Sequence, residues 1–433
     1  MEMSNIPLTE RRFLLPFVLV TSLFFLWAIG VNLNDILIPH FKKTFALSDF
    51  SSSLIQSAFF GGYFLAALPA GRIMDRVGYK RGILCGLCLC AIGTLLFIPA
   101  SIVRVYAFFL CALFVMACGQ CFLEVAANPY VTILGPAETA VRRLNLAQSF
   151  NAVGAVVTPI LGAAFILSGI EYTPAQLGAM SPREVQAYRI SEASAVRMPY
   201  LVITAIFLLA ALLIYFAKLP EASDPEALAS GEKRVPLSEA WSYRHLTLGV
   251  LAQFAYVGAQ VGVASFIIRF AEHSLPGTHE KAAARYLQLH MIGFMIGRFA
   301  GSALMKRISG SQLLALFSGC SLICLLIVIL ATGQVTVWAI VFIGFFHSIM
   351  FPTIFALSLR DLGSFTKVGS SLLVMSIIGG AVIPAAMGRL SDATNIQVAF
   401  VVPLLCHMVV LYFGLRGHRP VTVQSTEAVA GVA

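Results

Sequence analysis

The chain has 433 residues, of which 59% are hydrophobic and 11% charged, with a formal net charge of +9. A soluble globular protein carries about a quarter charged residues, so there are too few charges here to cover a wetted surface. A soluble enzyme, a disulfide-stapled secreted domain and a disordered chain are excluded. The excess of Lys and Arg does not cluster on one face, as a nucleic-acid footprint would. It falls in the short gaps between apolar runs, where orientation in a membrane is decided. With about 20 residues needed per span, the length accommodates a dozen spans and short connections.

In chain order, Arg11 and Arg12 precede a first apolar run long enough to span, so no cleavable signal peptide is expected. Apolar runs between charged or Pro/Gly punctuation predict helices at about 13–39, 50–73, 82–100, 105–133, 145–169 and 198–217, then 242–270, 283–305, 312–332, 335–358, 368–388 and 396–415. Longer polar stretches fall at about 171–197 and 219–240. The second separates an N-terminal half (1–218) from a C-terminal half (241–433), leaving 219–240 as a central linker. Assigned to alternate connections, 19 of the 29 Lys and Arg fall on the side of the termini, among them Arg72, Arg143, Arg298 and Lys367. That bias places both termini in the cytoplasm of a multi-pass cell (inner) membrane protein. The nine Cys all lie in apolar runs, and the Cys85/Cys88 pair has no second pair or loop His beside it, so they are expected to pack rather than to hold a metal.

The halves repeat one another in outline. The fifth span contains Asn151-Ala-Val-Gly-Ala-Val-Val-Thr-Pro159 and the eleventh Ser376-Ile-Ile-Gly-Gly-Ala-Val-Ile-Pro384. Each follows a span that carries a proline, Pro129 or Pro352, about thirty residues earlier. Two six-helix halves with a central linker are the architecture of carriers whose site lies between rocking halves.

Carboxylates inside apolar helices are the most informative residues, since a charge at the bilayer centre costs about 2.5–3.5 kcal/mol or more. Asp35 and Glu124 are two such residues, with no Lys or Arg within a helical turn. Groups of this kind line water-filled paths and hold a proton until the conformation wets them, as a proton-coupled carrier requires. Their positions along the first and fourth spans put them at different depths, an outer acid and a more central one. Amides and aromatics run in stripes beside them: Gln120, Glu124 and Asn128; Gln148 and Asn151; Gln253, Tyr256 and Gln260; Gln56 and Tyr63; Trp27, Val31 and Asp35. Carboxamides both donate and accept, which suits a neutral polyhydroxylated ligand, and aromatic faces suit the apolar side of a sugar ring. An anionic ligand would want a buried cation, and no Lys or Arg sits mid-helix in the first seven spans.

Gly71-Arg-Ile-Met-Asp-Arg-Val-Gly-Tyr-Lys-Arg81 resembles the signature between the second and third helices of the major facilitator superfamily. Gly297-Arg298 with Lys306-Arg307 is its weaker echo in the second half. The resemblance implies a gating role for Gly71, Asp75 and Arg76, with Asp75 pairing with cytoplasmic Arg residues to latch the inner side. Phe24-Phe-Leu-Trp27, Asn32-Leu-Asn-Asp35, Leu123-Glu124-Val-Ala-Ala-Asn128-Pro129, Asn145-Leu-Ala-Gln148-Ser-Phe-Asn151 and Val257-Gly-Ala-Gln260 together resemble the fucose permease (L-fucose:proton symporter) branch, over nearly the whole chain. That branch also carries glucose, galactose or N-acetylglucosamine. The resemblance implies proton coupling at Asp35 and Glu124, and a sugar cavity lined by Asn32, Gln148, Asn151 and Gln260. Ala264, Phe266 and Phe351 depart from the branch's pattern, replacing an aromatic and two hydroxyl-bearing residues and leaving the sugar open.

The expectation is an all-α integral membrane protein of twelve helices in two pseudo-symmetric halves, a symporter of a monosaccharide and a proton. Trp27 and Tyr256 join the cavity as ring-facing aromatics. No cofactor, metal or nucleic acid is expected, and the partners are sugar, proton and membrane lipid, around a monomer. The eight His are scattered without ligand spacing and no Gly-Lys dipeptide offers a P-loop, so neither a membrane enzyme nor an ATP-driven pump is expected. A uniporter or sensor of the same fold, and sodium in place of the proton, are the alternatives.

Overall fold

The computed structural model describes residues 6–45, 49–165, 176, 179–220, 237–278 and 280–420, except the side chains of 33–45, 49–53, 56–57, 159–165, 192–193, 195, 237–238, 280 and 281. The described residues form helices and connections without a strand. We number the helices α1 (Leu14–Phe45), α2 (Asp49–Val103), α3 (Tyr106–Ile133), α4 (Ala140–Phe165), α5 (Pro182–Ala195) and α6 (Arg197–Phe216) in the N-terminal group. The C-terminal group is α7 (Arg244–Ser274), α8 (Glu280–Leu304), α9 (Gly310–Leu330), α10 (Gln334–His347), α11 (Met350–Ser358), α12 (Thr366–Met375), α13 (Gly379–Ala393) and α14 (Val401–Tyr412).

Among the described residues each of the twelve expected spans falls mainly on helix, and nine stretches are long and apolar enough to cross a bilayer. One of these, Ala58–Val103, holds two expected spans. The stretch between them, read from sequence as a loop, is helical except at Gly78, whose φ of 81° lies in the left-handed region that favours glycine. The expected span at 335–358 is broken instead: α10 ends at His347 and α11 begins at Met350. The span at 368–388 is interrupted by a turn of tighter helix at Ser376–Ile378. The polar stretch 171–197 contains α5, which begins with Ser181 and Glu184 capping one another's backbone N–H and with Pro182 in its first turn. The exposed Glu184 carboxyl, taking the Ser181 hydroxyl at 2.8 Å, is held below the usual carboxylate range.

Residues near the termini collect at one end of the bundle, the terminal face. There Lys80 Nζ donates to the carbonyls of Tyr215 and Ala217 at 2.9 and 2.8 Å, and His245 Nε2 lies 2.8 Å from the Arg360 carbonyl. One continuous apolar core joins both groups on this side, taking in Met74, Val125, Tyr130, Ile354, Leu372 and Leu373. A second core (Val263, Phe266, Phe270, Val328, Ile340 and Phe400) belongs to the C-terminal group alone. Among the described residues, the two groups share a core only from the terminal face inward.

Arg143 is an exception to the charge reading. Counted as a loop cation, it is fully buried. Its guanidinium donates to the carbonyls of Val131 (3.0 Å), Leu8 (2.9 Å), Pro136 (3.0 Å) and Gly135 (3.2 Å), to the Thr139 hydroxyl (2.7 Å) and to the Thr132 carbonyl. Val131 and Thr132 lie in the last turn of α3, where carbonyls have no intrahelical partner and a cation complements the helix dipole. Each such charged hydrogen bond contributes about 1.5–3 kcal/mol. Replacing Arg143 with Ala is therefore expected to lower the thermal unfolding midpoint of the purified protein markedly, with Arg143→Lys intermediate, as a size-exclusion thermostability assay would read.

Candidate functional site

The centre of the molecule is built on α3. Gln120, Glu124 and Asn128 succeed one another at turn spacing and are all buried, Glu124 to 7% exposure. The Glu124 carboxylate accepts the hydroxyl of Tyr63 from α2, lies beside Asn128, and has Arg298 from α8 as its opposing charge. Arg298 is 4% exposed. Its Nη1 donates to the Gln148 carbonyl at 2.6 Å and to Gln148 Oε1 at 2.7 Å, and its guanidinium lies 4.7 Å from the Phe294 ring centre. Gln148 Nε2 in turn donates to Asn128 Oδ1 at 3.1 Å. Tyr63, Glu124, Asn128, Gln148 and Arg298 thus form a buried polar group drawn from α2, α3, α4 and α8, and so from both halves. A carboxyl placed here is either ionised against Arg298 or protonated and neutral, and the two states leave different charge on the seam between halves.

The remaining expected sugar ligands surround α1 and α7. Trp27 is buried with its ring 4.4 Å from that of Phe24. Asn32 and Asn151 are half-buried, and each spends one amide proton on a carbonyl of α1: Asn32 Nδ2 on Ala28 at 2.7 Å, Asn151 Nδ2 on Phe24 at 3.2 Å. A carboxamide has a second N–H and an acceptor oxygen besides. Gln260 is half-buried on α7. Tyr256, expected to face a sugar ring, is fully buried and donates its hydroxyl to the His347 carbonyl at 2.8 Å. That carbonyl is free because α10 ends there. Gln253, one turn earlier, is buried with neither polar side-chain atom partnered. Asp35 lies on α1 and Gln56 on α2, but their side chains are outside the described residues.

At the terminal face, Asp75 Oδ1 lies 3.8 Å from Nζ of Lys367 at the start of α12, and Lys367 sits 5.6 Å from the Tyr79 ring centre. The resemblance implied arginine partners; the structure pairs Asp75 with a lysine of the opposite half. A Cβ on Gly71 would meet the Ser371 hydroxyl and, at 3.2 Å, the Lys367 carbonyl, so only glycine lets the two helices approach this closely. Arg76 is exposed. Two further hydrogen bonds cross between halves nearby: Ser370 Oγ to the Val125 carbonyl at 2.8 Å, and Asn145 Nδ2 to Thr353 Oγ1 at 3.1 Å.

A profile of the Major Facilitator Superfamily matches residues 20–376. The chain belongs to the major facilitator superfamily. It is 45% identical over 401 residues to a glucose/galactose transporter of Brucella abortus, covering 92% of this chain and 93% of the relative. It is 44% identical over 408 residues to the L-fucose-proton symporter of Escherichia coli, covering 93% of each. A crystal structure of the E. coli fucose:proton symporter matches with a TM-score of 0.87 and 42% identity over 95% of this chain and all of that one. A structure of a superfamily transporter in the outward conformation matches at 0.86 and 43% identity, with the same coverage.

Within this superfamily architecture, the structure adds residues that the sequence did not single out. Arg298 was counted with the loop cations through the Gly297-Arg298 echo, yet it reaches the centre and binds the other half. The His residues, scattered in sequence, are not scattered in space, for His290, His347 and His407 meet in the C-terminal group. Pro129 and Pro352, matched in the repeat, were a usable signal: Glu124 and His347 each stand five residues before one of them. Gly71→Leu is expected to force the terminal face apart, seen as lengthened distances between spin labels placed on α2 and α12 at that face. Asp75→Asn, which removes only a partly exposed ion pair worth at most about 1 kcal/mol, is expected to move the same distribution far less.

Proposed function

We propose that the chain is a monosaccharide symporter of the cell (inner) membrane, both termini cytoplasmic, that couples uptake of an L-fucose-type sugar to a proton by alternating access. The observation that carries this reading is the Glu124 network, an acid facing a buried arginine across the two halves. The identity to relatives named as L-fucose-proton symporter and as glucose/galactose transporters supports the substrate class. In this reading residues 1–218 and 241–433 rock about the site, with 219–240 as the tether, in a monomer surrounded by lipid.

Sugar hydroxyls bind Asn32, Gln148, Asn151 and Gln260, with Trp27 against the ring and Tyr256 supporting α10 from behind. Ionised Glu124 attracts Arg298, and Arg298 holds Gln148, so the unprotonated site ties α3 and α4 to α8. A proton on Glu124 removes the attraction and releases one constraint on the halves. Asp35, further along α1, is the outer acid that passes the proton inward. Gly71, Asp75 and Arg76 act at the gate, where Asp75 and Lys367 must separate for the terminal face to open.

In proteoliposomes, uptake of radiolabelled L-fucose is expected to rise as the outside is acidified and to be abolished by a protonophore, since the proton enters with the sugar. Competition by galactose, glucose and N-acetylglucosamine ranks the substrates. Glu124→Gln fixes the neutral state, so sugar counterflow at equal pH should persist while accumulation up a gradient is lost. Full accumulation by that variant, or uptake indifferent to pH in the unaltered protein, overturns the coupling.

A further inference from the structure

The C-terminal half repeats the N-terminal half, and the residue at the repeat position of Glu124 is also titratable. Glu124 stands five residues before Pro129 and His347 five before Pro352. The helices that supply their neighbours also correspond, though not residue for residue: Tyr63 on α2, eight residues before Gly71, donates to Glu124, and His290 on α8, seven before Gly297, has its ring 6.1 Å from that of His347. All three His of the cluster are buried, His290 on α8, His347 at the end of α10 and His407 on α14.

The hydrogen bonds dictate where the protons sit. His407 Nδ1 lies 2.8 Å from the Pro403 carbonyl, which can only accept, so Nδ1 carries a proton and the Nε2 of neutral His407 is a bare acceptor. His347 Nε2 lies 2.9 Å from it, with the ring planes within 12° and centres 4.9 Å apart, an edge-to-edge pair. His347 therefore donates from Nε2, and its Nδ1 is left a bare lone pair. That atom is buried without a hydrogen-bond partner. By the same logic His290 donates from Nδ1 to the Ile340 carbonyl at 2.9 Å.

Most buried polar atoms are hydrogen-bonded, and one that is not calls for an explanation. This cluster keeps an open proton acceptor, and it does so where the helix is broken, between α10 and α11, as helices at carrier binding sites are. The groups that face the pair are few. His290 comes from α8, Tyr256 from α7 with its hydroxyl on the His347 carbonyl and Arg298 beyond it, and α9 supplies the Ser318 hydroxyl to the His407 carbonyl at 2.9 Å. Among the described residues no carboxylate acts on either ring.

We propose that His347 and His407 form a second proton-binding site of this carrier, the C-terminal counterpart of Glu124, an inference that rests on the transport reading above. A hydronium ion gives its proton to the His347 Nδ1 lone pair and leaves as water, and the site gains one positive charge. The existing Nε2–H to Nε2 bond becomes charge-assisted, and His407 keeps its bond to Pro403. With no carboxylate at hand, the charge is tolerated when the moving halves admit water, so occupancy follows the transport cycle. Histidine is the side chain whose unperturbed change of charge falls between about pH 5 and 8, so water admitted to the pair brings its titration toward the range over which a proton-driven carrier works.

The test is 15N NMR of histidine-labelled, otherwise unaltered protein in lipid nanodiscs, from pH 8 to 5 with and without L-fucose. One buried ring is expected to pass from a single protonated nitrogen to two. Its signal should vanish in His347→Asn, change in His407→Asn and persist in His290→Asn. Sugar counterflow measured over the same range should lose one titration step in His347→Asn, while Glu124→Gln retains that step. Both rings staying neutral to pH 5 in either condition overturns the proposal, as does a His347→Asn profile that superimposes on the unaltered one. The spectra need no variant to transport sugar, so they decide the pair's titration even if no monosaccharide is carried and the transport reading falls.

Discussion

A guanidinium buried between two groups of helices in a bilayer is the constraint on which the rest of this structure depends. Arg298 cannot stay charged in an apolar medium without acceptors around it. It finds them in the other half, in the backbone and side chain of Gln148, with Glu124 as its opposing charge. Those partners must be held in place, and Asn128 fixes Gln148 while Tyr63 fixes Glu124. The seam between halves is therefore polar at its centre, although the helices that form it are strongly apolar elsewhere.

The polar centre of the seam can open without exposing apolar surface, whereas the apolar core that the two groups share toward the terminal face has to part when that side opens. The remaining contacts at the terminal face are modest. A glycine against a serine, two hydroxyl- or amide-mediated hydrogen bonds and one partly exposed ion pair join α2, α3 and α4 to α11 and α12. None is large alone. Together they favour one arrangement by an amount comparable with what a ligand or a proton supplies.

The two halves descend to different chemistry from a common plan. α3 runs unbroken past Glu124, while the matching helix breaks just after His347 and gives its free carbonyl to Tyr256. An acid beside an arginine can be neutralised by a proton; an imidazole pair without a carboxylate can only be charged by one. A proton thus adds one positive charge at the same position of either half, but it neutralises the acid and charges the imidazole pair.

The sequence alone determined the membrane class, the approximate placement of most helices, the superfamily and the presence of an acid at 124 within a span, because each rests on a local property. Apolar runs must span, a charge in a span is costly, and the Gly71–Arg81 signature is contiguous. What the sequence did not disclose depends on side chains that meet from far along the chain. Arg143 and Arg298 look like loop cations until the fold supplies buried acceptors 4 to 150 residues away. Asp75 is matched to Lys367 only once α2 and α12 cross, and the Tyr256 hydroxyl meets the His347 carbonyl only because α10 ends beside it. Three histidines with no spacing between them became a cluster for the same reason: helices bring together residues that no periodicity relates, and only packing decides which faces touch.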